Sequence, residues 1–235
     1  MRKFGLIGGT SWRSTIEYYA TINGMINDWH GDNTNPPLRI VSLDQKKIHD
    51  LQRADDWDAI ADIFVSAALE LQGAGVEGIA LCANTPHKVF NDLSNSLSIP
   101  ILHIADAIGA ALKEDGLDVA ALLGTRFTMS QDFIKGRLSE RYETGVVVPT
   151  ASDQDQIQAL IYDELSVGVF KDETRVFFLE IINSLSERGA QAAILGCTEF
   201  PLLLKDAPYP IPLIDSLICH CETIVRFILG EDNPE

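Results

Sequence analysis

Ala74-Gly75-Val76-Glu77-Gly78-Ile79-Ala80-Leu81-Cys82-Ala83-Asn84-Thr85-Pro86 decides how the chain is read, because Arg188-Gly189-Ala190-Gln191-Ala192-Ala193-Ile194-Leu195-Gly196-Cys197-Thr198-Glu199 repeats its plan. Each stretch passes from a helix end through a tight turn into a short apolar strand, then leaves by polar residues. A second pair echoes the first. Gly5-Leu6-Ile7-Gly8-Gly9-Thr10 and Ala121-Leu122-Leu123-Gly124-Thr125 are apolar strands that end in glycine and a hydroxyl residue. Gly8 and Gly124 stand 116 positions apart (124 − 8), and Ala83 and Cys197 stand 114 apart (197 − 83). Similarity at a nearly constant offset marks an internal repeat, and hence two similar lobes.

Between these anchors, short runs of Ile, Val and Leu alternate with longer amphipathic stretches. This is the pattern of βα units around a mostly parallel sheet. Strands are predicted at 4–7, 38–43, 78–82, 119–123, 145–148, 192–195 and 211–213. Helices are predicted at 15–28, 57–72, 87–93, 104–114, 131–138, 153–166, 173–188 and 216–229. The expected fold class is α/β, with two pseudo-symmetric lobes, each a mostly parallel sheet flanked by helices, and the active site in the cleft between them. The C-terminal helix is expected to return to the first lobe, so residues 1–103 with 208–235 form the N-terminal lobe and 104–207 the C-terminal one.

The chain has 235 residues, 46% hydrophobic and 22% charged, values of a globular protein long enough to bury a core. Its first apolar run, Phe4 to Ile7, is too short for a signal sequence. No apolar run approaches the roughly 20 residues of a membrane span. A cytoplasmic location is expected. A net charge of −16 disfavours nucleic acid and anionic membranes as partners. An acidic ligand would have to be held by local donors such as backbone N–H groups, helix N-termini, hydroxyls and amides.

Four cysteines are present, Cys82, Cys197, Cys219 and Cys221, and in the cytosol they are reduced thiols. Cys219-His220-Cys221 has the ligand types of a zinc site, but its spacing is tighter than a knuckle and no second pair accompanies it. Cysteines on a C-terminal helix are the preferred reading, and no metal is expected.

Open parallel sheets bind ligands beyond the carboxyl ends of their strands. Four such ends carry small and hydroxyl residues: Gly8 to Ser11, Ala83 to Thr85, Gly124 to Thr128 and Cys197 to Glu199. Gly8-Gly9-Thr10-Ser11 lacks the rest of a nucleotide motif and suits a turn offering donors to a carboxylate, or a structural turn. Thr125 and Thr128 are hydroxyls at a helix start, fit for binding or for capping. Cys197 precedes Phe200-Pro201, where proline favours a helix's first turn. A helix N-terminus there lowers a thiol's pKa, whereas a core cysteine is the plain alternative.

Gly8-Gly9-Thr10-Ser11-Trp12, Asn84-Thr85, Gly124-Thr125-Arg126-Phe127-Thr128-Met129 and Gly196-Cys197-Thr198-Glu199 together resemble the cofactor-independent aspartate/glutamate racemase superfamily, in particular its aspartate racemase branch. The four motifs follow the family's order across nearly the whole chain. The resemblance implies an amino-acid racemase acting on aspartate or glutamate, without pyridoxal phosphate, metal or nucleotide, and a homodimer. Two thiols would serve as acid and base on opposite faces of the α-carbon, while donors on the carboxylate stabilise the carbanion. Cys197 fits the second-lobe acid/base. Thr10, Gln52, Asn84, Thr85, Thr198 and Glu199 would line the substrate, with Thr125 and Thr128 beside them. An apolar helix carrying Tyr18, Tyr19, Ile22, Met25 and Ile26 is the expected dimer face.

One position departs from the family. Its first-lobe cysteine stands immediately before Asn-Thr, where this chain has Ala83; some members carry threonine there and remain racemases. Cys82 is one residue earlier, and alternation along a strand turns it away from the site. Water or His87 can take the missing role, or the chain is a one-thiol isomerase or decarboxylase, or a carboxylate-binding protein with little turnover, or the alanine was introduced to inactivate the site. A hydrolase with Cys197 as nucleophile needs a histidine base, for which His87 and His103 are the candidates.

Overall fold

A computed structural model describes residues 1–205 and 208–231. The chain divides into two compact units, Met1–Ile104 with His220–Glu235, and Ala105–Cys219. Unit 1 opens with β1 (Phe4–Gly8), α1 (Trp12–His30), β2 (Leu38–Ser42), α2 (Gln45–Arg53), α3 (Trp57–Gly73) and β3 (Gly78–Leu81). A 3-10 turn (Thr85–Val89), α4 (Phe90–Ser96) and β4 (Ile101–Leu102) follow. Then α5 (Ile104–Glu114) leads into β5 (Val119–Gly124), α6 (Arg126–Ser130), α7 (Asp132–Tyr142), β6 (Gly145–Val147) and α8 (Ala151–Asp163). The chain ends with α9 (Asp172–Glu187), β7 (Ala192–Gly196), α10 (Phe200–Leu203), β8 (Leu213–Asp215) and α11 (Ser216–Leu229).

Both sheets are four-stranded and every pairing is parallel. Their orders are β2-β1-β3-β4 and β6-β5-β7-β8, the same order once β1 is matched to β5 and each later strand to its counterpart. The repeat read from sequence is therefore a repeat of topology. The central strands β1, β3 and β7 are buried along their whole length, as strands covered by helices on both faces must be. The edge strand β2 exposes Arg39, Ile40 and Ser42. In unit 1 the core gathers Ile7, Ile79 and Leu81 with Phe64 and Leu71 of α3. In unit 2, Leu123, Ala193 and Leu195 meet Phe178 and Ile182 of α9.

Caps fix where several helices begin. Ser11 accepts from the Ser14 N–H at the start of α1, and α1 ends at Gly31, whose φ of 72° is left-handed. Asp44 caps α2 through the N–H groups of Lys46 and Lys47, and Asp56 caps α3 through that of Ala59.

Several expectations are corrected. The expected boundary at 207/208 falls inside unit 2, because β8 pairs with β7 and so belongs to the second sheet; residues 206–207 and 232–235 lie outside those described. The return to unit 1 comes at His220, within α11. The strand expected at 211–213 starts instead at Leu213, since Pro212 has no N–H for a ladder and serves as acceptor for Ala193 N–H. The helix expected at 87–93 is a 3-10 turn followed by α4, with Pro86 in its first positions. On α1, Tyr18, Ile22 and Ile26 are core residues, so the outward apolar face is Trp12, Ile16 and Tyr19.

Candidate active site

At the carboxyl end of β1 two glycines are required by space. A Cβ on Gly8 would stand 2.4 Å from the Thr15 side chain, and one on Gly9, at φ +85°, would stand 2.2 Å from the Leu43 carbonyl oxygen. Thr15 holds the turn: its hydroxyl accepts from Gly9 N–H at 2.9 Å and donates to the Ser11 carbonyl at 3.0 Å. Thr10 is buried in this turn. The neighbouring strand end, after β3, presents Ala83, half-buried, then Asn84, buried, and Thr85, half-buried. Cys82 precedes them with its side chain in the interior, and its carbonyl accepts from the Ser14 hydroxyl at 2.6 Å. Burial pushes the Cys82 thiol far above the ordinary range, which makes it inert as an acid or base near neutrality.

His87 closes this turn from behind. Its Nδ1 lies 3.0 Å from the Ala83 carbonyl and 3.1 Å from that of Asn84, while Nε2 accepts from the Ile104 N–H at 3.2 Å. Carbonyls only accept, so Nδ1 carries the hydrogen and Nε2 does not: the ring is neutral and both nitrogens are engaged by backbone. His87 is thus a brace for Ala83-Asn84, and the proton-transfer role open to it in sequence is withdrawn. His103 packs against it at 4.5 Å between ring centroids. His220 donates from Nε2 to the Leu102 carbonyl at 3.1 Å and, in the neutral ring, accepts at Nδ1 from the Tyr18 hydroxyl at 2.8 Å. Among the described residues no group of three or more His, Cys, Asp or Glu is placed to hold a metal ion.

The second unit repeats the strand-end arrangement with other side chains. Gly124 of β5 pairs with Gly196 of β7, and a Cβ on Gly124 would meet the Thr128 methyl at 2.9 Å. Thr128 is fully buried, and its hydroxyl lies 3.1 Å from that of Thr125, the cap of α6. Thr128 therefore supports the glycine pair, and half-buried Thr125 is the more accessible of the two hydroxyls. Immediately after Gly196 stand Cys197 and Thr198, both half-buried, and buried Glu199. The Cys197 thiol donates to Glu199 Oε2 at 3.0 Å, and the Thr198 hydroxyl donates to the same oxygen at 2.9 Å.

The expected lowering of the Cys197 pKa is reversed. Burial raises it well above the usual thiol value, the Glu199 carboxylate adds to this by charge and by hydrogen bonding, and the N–H groups of Glu199 and Thr198 oppose it. The reason is local: α10 is four residues long, too short for a strong dipole, and a carboxylate sits next to the sulfur. The resting side chain is a thiol, not a thiolate. Among the described residues the hydrogen-bond partner at this sulfur is a carboxylate, where a cysteine hydrolase has an imidazole.

Within unit 1, Thr10, Ala83, Asn84 and Thr85 occupy the ends of the adjacent strands β1 and β3. Gln52 lies on the last turn of α2, half-buried. Within unit 2, Thr125, Cys197, Thr198 and Glu199 occupy the ends of the adjacent strands β5 and β7. Sequence reading missed Ser14 and Thr15, which hold the two strand ends of unit 1, and the bond from Cys197 to Glu199. The last was signalled by the Cys-x-Glu spacing on a strand exit.

The chain is similar to known proteins over nearly its whole length. The model of the Asp/Glu/Hydantoin racemase family matches residues 7–224. A broad specificity amino-acid racemase of Bacillus subtilis, RacX, is 25% identical over 237 residues, covering 96% of this chain and 98% of that protein. A crystal structure from Yersinia pestis, provisionally named an Asp/Glu racemase, is 37% identical with a TM-score of 0.92, covering 97% of this chain and 100% of that one. An aspartate racemase homologue from Pyrococcus horikoshii is 32% identical with a TM-score of 0.83, again covering 97% and 100%. With four polar strand ends, a repeated parallel sheet and a family match across nearly its whole length, the chain belongs to the Asp/Glu/hydantoin racemase family.

Proposed function

We propose that this chain is a cofactor-independent racemase of acidic amino acids, aspartate first and glutamate second, with Cys197 as the acid/base on one face of the α-carbon. The observation that carries this reading is the half-buried thiol at the exit of the buried strand β7, bonded to a carboxylate. The reading assigns the binding of the substrate's carboxylates and amino group to Thr10, Gln52, Asn84, Thr85, Thr125, Thr198 and Glu199. Thr128 keeps the β5 end in shape. Hydroxyl and amide donors on the α-carboxylate spread the charge that develops when the α-proton leaves.

On the other face, Ala83 offers a methyl group where a proton carrier is needed. Cys82 and His87 are both committed elsewhere, the first to the core and the second to backbone. Water is the remaining carrier, and inversion through water is slower than exchange at Cys197. The reading also places the protein in the cytoplasm as a homodimer.

The test is chiral chromatography of L- and D-aspartate and of both glutamates after incubation with the protein and with its Ala83→Cys variant. Slow interconversion by the wild type and interconversion at least about tenfold faster by Ala83→Cys are expected, since a positioned acid/base contributes about 10²–10⁴-fold. No interconversion by either protein would reject a racemase. A specific second reading, a one-thiol relative that turns over without inversion, is favoured by the same Ala83 and is recognised by exchange without any change of configuration.

A further inference from the structure

Beyond binding substrate, Glu199 has a second assignment. We propose that Glu199 is the immediate proton acceptor of Cys197, so that thiol and carboxylate act as one unit in which the carboxylate takes up the proton the thiol gives up. The inference rests on the racemase reading for its substrate but on geometry alone for the pair.

Three observations carry it. Glu199 Oε2 is 3.0 Å from the Cys197 sulfur and 2.9 Å from the Thr198 hydroxyl, and both contacts require the carboxylate to accept. Glu199 is 8% exposed, so its charge is not dispersed into bulk water. It also begins the four-residue α10 without capping it through its side chain, which leaves the carboxylate to the thiol and the hydroxyl. A thiol held neutral by burial and by an adjacent anion needs a built-in acceptor to become a base, and the adjacent anion is that acceptor.

The step balances without any redox change. The S–H bond of Cys197 breaks, its proton moves to Glu199 Oε2, and the electron pair stays on sulfur as thiolate. The thiolate then forms a new S–H bond with the α-proton of the amino acid, and the C–H electron pair passes into the α-carboxylate as an enediolate. The Glu199 proton leaves to water or returns once carbon has been reprotonated. The pair carries one negative charge before and after.

Two readouts on the full-length protein test this, with Glu199→Gln as the main variant and Glu199→Asp as the conservative one. The first follows α-proton exchange of aspartate in deuterated water from pH 6 to 9. Wild type is expected to be nearly flat across neutral pH. Glu199→Gln is expected to be slower by at least about 10²-fold at pH 7 and to rise about tenfold per pH unit, because its thiol must lose a proton to solvent. Glu199→Asp is expected to recover part of the rate and the flat profile. The second readout needs no amino acid: alkylation of Cys197 by iodoacetamide, followed by peptide mass spectrometry. Glu199→Gln is expected to alkylate more slowly at pH 7, because its thiolate no longer forms by transfer within the pair.

Slower exchange together with slower alkylation is a signature that neither misfolding, which exposes the thiol, nor loss of substrate contact, which leaves alkylation unchanged, produces. The pairing is overturned if Glu199→Gln keeps the wild-type pH profile, or if its alkylation rate is unchanged or higher. A wild type that exchanges neither aspartate nor glutamate removes the proposed activity, and the alkylation result then decides the pair by itself.

Discussion

The Cys197 sulfur lies 3.0 Å from a carboxylate oxygen and begins each cycle as a neutral thiol, so it must give up its own proton before it can take one from carbon. Its companion Cys82 is raised by burial alone, from an ordinary value of 9.0. Both folded-state values lie above the unfolded ones, so the stabilisation they represent is complete below about pH 9 and is lost as pH rises toward the folded-state values. The melting temperature should therefore fall between pH 8 and 10.5, and Cys82→Ala should flatten that fall even though it lowers stability at pH 8. Equal slopes for the two proteins would contradict the burial argument. Ala83 is the other decisive residue. Sequence made its importance visible by placing it opposite Cys197 in the repeat, whereas the fates of Cys82 and His87 needed coordinates. Alternation along β3 points Cys82 inward, but only the bonds to Ala83, Asn84 and Ile104 reveal that the His87 ring has no nitrogen left for chemistry.

The elements that present these residues are short and tightly specified. Gly9→Ala would push a Cβ to 2.2 Å from the Leu43 carbonyl at a left-handed φ of +85°. A loss of about 2 kcal/mol or more is expected, since overpacking and backbone strain each cost about 1–3 kcal/mol; a thermal melt within 2 °C of wild type would refute it. His87→Ala leaves the Ile104 N–H and two carbonyls without their ring partner, at about 1–3 kcal/mol for each buried group left unsatisfied. His87→Gln, whose side-chain oxygen can still accept from Ile104, should recover part of that loss in urea unfolding; equal losses for both variants would mean the hydrogen bonds are not what matters. These elements were legible in sequence to different degrees. The buried strands and long helices stood out through continuous apolar runs and 3.6-residue periodicity. By contrast α2, with Ile48 as its buried residue, gave only the Asp44 cap as a sign. β4 is two residues long, below what any pattern can register, and α10 is a single turn.

The whole molecule is one topology used twice, with different side chains at equivalent strand ends. The first copy spends Ser14, Thr15 and His87 on holding a turn that ends in a methyl group, while the second places a thiol and a carboxylate there. The duplication was readable from two pairs of offsets, but the lobe boundary was not, because β8 follows a proline-rich loop that reads like a linker. On the surface, Trp12, Ile16 and Tyr19 line one side of α1, an apolar stripe at i, i+4 and i+7. If the homodimer uses it, Ile16→Glu with Tyr19→Glu should shift light-scattering mass from two chains to one; an unchanged mass places the interface elsewhere.

The central claim is that the Cys197 thiol carries the α-proton. The direct measurement is proton NMR of L- and D-aspartate in deuterated water with wild type and with Cys197→Ser. The account predicts that the α-proton signal of at least one enantiomer decays with wild type and at least about 10²-fold more slowly with Cys197→Ser. Decay at the same rate with the serine variant, or no decay of either enantiomer with the wild type, would contradict it.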